Sequence, residues 1–116
     1  IPVCPMLDAR KNQVYCALYK TSADGMPEVI LGERVVEVAD MLAEITGETI
    51  FIGDGAMRYR DIIVTALPGK ARFTAPHYDL IRATSVGILG LRRYEKGGAD
   101  AADTLKPVYL RPSEAI

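Results

Sequence analysis

The stretch TIFIGDG, residues 49–55, constrains the chain most: a nearly unbroken apolar run of strand length passes straight into a Gly-Asp-Gly turn and then into a helical pattern. A strand of this kind is expected to be covered on both faces, which points to a sheet with parallel members. Beyond the turn, Ala56, Tyr59, Ile63 and Leu67 share one helical stripe, with Asp54 placed to cap the helix and Pro68-Gly69 to end it.

Upstream the pattern changes to short strands. Residues 3–7 and 14–19 predict two strands closed around the turn Asp8–Asn12, and a third strand is predicted near residues 29–36, after the turn signals Asp24-Gly25 and Pro27. Val38, Met41, Leu42 and Ile45 then fall at helical spacing between Glu37 and Gly47. ARFT, residues 71–74, reads as a short extended piece. The longest helix is predicted over residues 79–94, where Ala83, Gly87 and Gly90 form a small strip that would allow close backbone approach, and Gly97-Gly98 stops it. Pro107 and Pro112 keep the tail extended. A strand meander followed by alternating helices and strands predicts a single α/β domain, a mixed β-sheet with flanking helices.

At 116 residues and 49% apolar composition the chain suits one core. Fourteen basic residues against fifteen acidic ones leave a formal charge of −1, so the footprint of a dedicated nucleic-acid binder is missing and any such contact is expected to be indirect. No apolar run reaches the roughly 20 residues of a membrane span, and the start lacks the basic region of a signal peptide, so a soluble intracellular chain is expected. If the first hairpin closes around residue 11, Cys4 and Cys16 are diagonal neighbours too far apart for an easy disulfide, which predicts two reduced, buried thiols. The abrupt start at Ile1, directly in strand-like sequence, suggests a fragment.

Few residues offer chemistry. A phosphate-gripping hairpin needs glycines, because only a backbone without Cβ brings successive N–H groups against phosphate oxygens. This turn has Ala9, Arg10, Lys11 and Asn12 instead, with Asp8 able to cap it or hold a metal; read alone, it is a solvated, charged hairpin end. Gly53-Asp54-Gly55 lies at a strand-to-helix junction, a natural anion site, although a tight turn under a sheet needs the same glycines. His77 is the only histidine, so no two-histidine metal motif can be built, and Ser22, Ser85 and Ser113 lack the strand-turn-helix setting of a nucleophile. No pair of carboxylates stands out as acid and base. Tyr109 and Arg111, in YLRPS, are suited to docking on this domain or on a partner.

Three motifs in order, MLDARKNQVYCALY (6–19), FIGDGAMRY (51–59) and LKPVYLRPSEA (105–115), resemble the second half of the TsaB/YeaZ family of tRNA threonylcarbamoyl-adenosine modification. The resemblance implies the carboxy-terminal subdomain of an actin, Hsp70 and sugar-kinase-like (ribonuclease H-like) fold, residues 1–116, with the first subdomain absent. It places Asp8 at the phosphate turn and Gly53, Asp54 and Gly55 at the adenosine turn of a degenerate nucleotide site. Ala9 and Arg10 stand where glycines would be needed, so ATP binding is doubtful and no cofactor is expected.

The family is implied to be a cytoplasmic, non-catalytic scaffold or activator, pairing with the catalytic paralogue TsaD and the ATPase TsaE and meeting tRNA only through the complex. Arg10, Tyr109 and Arg111 are the residues offered for partner or tail docking. Self-association through surface left open by the missing half is a further expectation. The competing readings are a nucleotide-binding enzyme half and, disfavoured by the lone His77, a peptidase of the kind an old glycoprotease label suggests.

Overall fold

A computed structural model describes residues 1–79, 81–98 and 100–111. The chain divides into two compact units, Ile1–Leu80 and Ile81–Ile116.

The first unit is built on a five-stranded sheet of order β3-β2-β1-β4-β5. Strands β1 (Val3–Asp8), β2 (Gln13–Thr21) and β3 (Pro27–Glu37) form an antiparallel meander. Strands β4 (Thr49–Ile52) and β5 (Ala71–Phe73) then run parallel to β1. This is the predicted mixed α/β sheet with flanking helices. Met6 faces Cys16 and Asp8 faces Val14, so the hairpin centres on residue 11, the condition under which Cys4 and Cys16 are diagonal neighbours. The β2–β3 register slips between Cys16 and Tyr19, and Cys16, Ala17 and Leu18 are buried in succession there, where strict alternation would expose one of them.

Period-2 alternation turns Cys4 and Met6, Val14, Cys16 and Leu18, and Phe51 to one face. Three short helices bury their stripes against it: α1 (Val38–Ala43), α2 (Asp54–Arg58) and α3 (Arg60–Ala66). The stripe Ala56, Tyr59, Ile63 and Leu67 is buried as the spacing predicted, but the helix is not continuous. Tyr59 leaves helical geometry at φ −104° and ψ 19°, ending α2 and starting α3. Strand β4 also departs from expectation. Thr49 and Phe51 are buried whereas Ile50 and Ile52 are half-buried, because α1, α2 and α3 all pack on the same side of the sheet.

Both cysteines are free and buried, as expected from their diagonal placement. Burial pushes the Cys4 thiol up to about 12, with neighbouring Cys16 adding to the shift and Arg34 opposing it. Burial also raises Cys16, against the opposing charge of Arg34. Arg34, opposite Cys16 on β3, pairs with Glu44 and donates to Met41 Sδ at 3.1 Å.

In the second unit α4 (Ala83–Glu95) starts later than predicted, and the Pro76–Asp79 segment forms a separate 3-10 turn in the first unit. Its end is a two-bond glycine cap. Gly97, at φ 80°, donates to Tyr94 O and Gly98 to Arg93 O, as a left-handed residue after a helix permits. Within the second unit, a Cβ at Gly87 or Gly90 would meet no atom within 4 Å among the described residues. No helix among them is long and apolar enough to cross a membrane.

Phe51, fully buried and in contact with Phe73 at 6.0 Å between ring centres, is central to the first unit's core. Phe51→Ala is expected to cost about 3–5 kcal/mol, read from urea unfolding. Unfolding returns the Cys4 thiol to its ordinary value near 9, so the unfolded chain loses that proton first. The stabilising contribution is therefore whole below pH about 9 and is lost as pH rises toward 12. Cys4→Ala should show a shallower loss of stability between these limits than the parent; equal slopes would contradict the assignment.

Candidate functional site

The parallel strands β1, β4 and β5 end on the same side of the sheet, and in open α/β sheets ligands bind outside such carboxyl ends. Asp8 ends β1, and Gly53-Asp54-Gly55 follow β4. The fold brings these two segments into contact, joining four of the residues singled out by sequence.

The contact is made backbone to backbone. Gly53 sits at φ 110°, and a Cβ there would lie 2.3 Å from Met6 O. A Cβ at Gly55 would lie 3.0 Å from the Met6 and Leu7 carbonyl carbons. The approach of α2 to β1 therefore requires glycine at 53 and leaves little space at 55. Asp54 differs from expectation: Gly53 is the cap residue of α2, and no side chain caps that end. Asp54 Oδ1 instead accepts the Asp8 N–H at 2.9 Å, across 46 residues of sequence.

Asp8 is the hub of the hairpin end. Its Oδ1 accepts the Arg10 N–H at 3.0 Å, and its Oδ2 lies 3.6 Å from Arg58 Nε. Beyond it, Arg10, Lys11 and Asn12 have φ of 64°, 55° and 60°. The chain thus adopts three successive left-handed residues without a glycine. The strain is about 1–2 kcal/mol for each ordinary residue, least for Asn12. It is offset by hydrogen bonds: Ala9 N–H to Gln13 O at 2.9 Å, Gln13 N–H to Arg10 O at 2.9 Å, and Val38 N–H to Asn12 O at 3.1 Å.

A cavity of about 180 Å³ lies beside this junction, lined by Ala56, Met57, Arg60, Phe73, Thr74 and Pro76. The Arg60 guanidinium lies 4.2 Å from the centre of the Phe73 ring, and Thr74 Oγ1 is buried without a partner. Of these residues the sequence reading gave a role only to Ala56; the available signal for the rest was the short extended piece ARFT, residues 71–74. A larger groove, about 410 Å³, lies at the opposite strand ends beside Pro2, Ile30, Ile45 and Thr49.

Tyr109 and Arg111 belong to the second unit, Tyr109 highly exposed and Arg111 half-buried. His77 lies in the 3-10 turn, its side chain outside what is described, and Ser113 falls outside the described residues. Among the described residues no three His, Cys, Asp or Glu side chains converge as metal ligands.

Gly53→Ala is expected to destabilise the first unit by about 3 kcal/mol or more, since the new Cβ meets a backbone oxygen that cannot swing aside. Asp54→Ala, which removes one partly solvated hydrogen bond, should cost only about 1 kcal/mol. Thermal unfolding of the two variants orders them.

No family model matches the chain. It is 31% identical, over 97% of its length, to the tRNA threonylcarbamoyladenosine biosynthesis protein TsaB of Bacillus subtilis (strain 168). The chain spans about half, 48%, of that curated relative. The same fold occurs in the crystal structure of an uncharacterized protein with similarity to peptidase YeaZ from Pseudomonas aeruginosa, at a TM-score of 0.69 and 22% identity, covering 95% of this chain and 49% of that one. Over the span it covers, the chain is thus similar in sequence to the Bacillus subtilis TsaB protein and shares its fold with the YeaZ-like protein of Pseudomonas aeruginosa.

Proposed function

We propose that this chain is the carboxy-terminal subdomain of a cytoplasmic, non-catalytic subunit in the threonylcarbamoyl-adenosine modification of tRNA. It acts by assembly with the catalytic paralogue TsaD and the ATPase TsaE, and meets tRNA only through them. The role in modification rests on the relationship to the Bacillus subtilis protein of that name.

The non-catalytic part of the reading is carried by one observation. The Asp8 amide, at the strand end where a phosphate turn would offer N–H groups to its ligand, is already bound by Asp54 Oδ1. An internal carboxylate stands in for a phosphate oxygen, and a second carboxylate, Asp8, sits beside it. An incoming nucleotide would have to displace the first and approach the second, against like-charge repulsion. The neighbouring cavity, about 180 Å³, is below the roughly 300 Å³ at which small-molecule sites begin. A peptidase reading lacks its chemistry in this chain, whose single histidine cannot form a paired-histidine metal motif.

The test is a reconstituted modification reaction containing TsaD, TsaE, tRNA, threonine, bicarbonate and ATP. The protein carrying this chain should restore modified adenosine with its partners and give none alone; turnover by that protein alone would overturn the proposal. Calorimetry with ATP and magnesium should give no tight 1:1 binding, whereas such binding would favour the nucleotide-binding enzyme half.

A further inference from the structure

Every positive φ among the described residues falls on a glycine, at Gly25, Gly53, Gly69 and Gly97, except at the tip of the β1–β2 hairpin. There the chain places Arg10, Lys11 and Asn12 in succession, all exposed. Glycine would adopt the same backbone without strain. Strained residues persist only where the surroundings over-determine them, and they collect where geometry is used. The surroundings here do so: Asp8 Oδ1 holds the Arg10 amide, the Val38 amide holds Asn12 O, and Asp54 and Arg58 hold Asp8.

We propose that this hairpin tip is a preset docking point for a carboxylate-bearing surface of a protein partner, with Arg10 and Lys11 as the contacts. The inference rests on the scaffold reading above and names a surface through which the scaffold would act. Fixing the backbone beneath two long cationic side chains lowers the ordering cost of engagement. A protein surface fits better than RNA. Asp8 and Asp54 lie just behind the tip and Glu37 opposes Gln13 beside it, so an extended polyanion would meet carboxylates on either side of two cations. The chain as a whole carries −1 rather than a basic excess.

The test titrates TsaD, TsaE and tRNA separately against the protein carrying this chain, at low and high salt. Two variants are compared with the parent. Arg10→Gly with Lys11→Gly removes the cations and relieves the strain. Arg10→Gln with Lys11→Gln removes the cations and leaves the strain.

The glycine pair should melt higher, by about 4 °C. It should nevertheless bind one partner about tenfold more weakly, the scale of two surface charge pairs. The glutamine pair should lose the same affinity with no gain in melting temperature, and both should flatten the salt dependence. Unchanged affinity for both partners overturns the proposal, as does a glycine pair that melts no higher. A loss confined to tRNA binding also overturns it, in favour of an RNA contact. Failure of the parent protein itself to bind either partner overturns the scaffold reading and this proposal with it.

Discussion

The junction between β1 and α2 is the constraint on which the candidate site depends. Two backbones come so close there that Gly53 has no room for a Cβ and Gly55 very little, and the Asp8–Asp54 hydrogen bond joins them. This approach brings the end of β1 beside the loop after β4, and it directs Ala56, Tyr59, Ile63 and Leu67 onto the sheet face that carries Met6 and Phe51. Packing and site geometry are therefore one arrangement. A glycine demanded by the core is also the glycine that would line a nucleotide turn, which is why Gly-Asp-Gly alone could not separate the two roles.

Electrostatics around the junction favour internal pairing. Asp8 is met by the Arg10 amide and by Arg58, and Asp54 is spent on the Asp8 amide. In related folds this end of the sheet is a place for anions; here carboxylates from the chain itself occupy it. The hairpin beyond it combines strain with anchoring, and the anchoring bonds are mostly backbone to backbone. Such bonds are insensitive to side-chain identity, so the tip can carry two cations without losing its shape.

Much of the fold was legible because it follows from periodicity. Alternation placed Cys4 and Cys16 on one face for a hairpin closed around residue 11, which is the register the strands adopt. Helical spacing found Val38, Met41, Leu42 and Ile45, all buried. The errors arose where long-range contacts override local pattern. Asp54 has the residue type and position of a helix cap, yet its carboxylate is taken by an amide 46 residues away. The helix after it kinks at Tyr59, and β4 packs on one face although its sequence is apolar on both.

The sequence by itself determined the five strands, their order, the core stripes, the state of the two cysteines and, through its motifs, the resemblance to TsaB. Those properties depend on which residues are near one another along the chain or repeat with a fixed period. Only the tertiary structure decided what Asp8, Asp54 and the hairpin tip do. Whether a carboxylate caps a helix, awaits a ligand or binds a distant amide depends on which partner folding brings to it first. The left-handed path through Arg10, Lys11 and Asn12 was equally unreadable, because local preference opposes it and only bonds to Asp8, Gln13 and Val38 hold it in place.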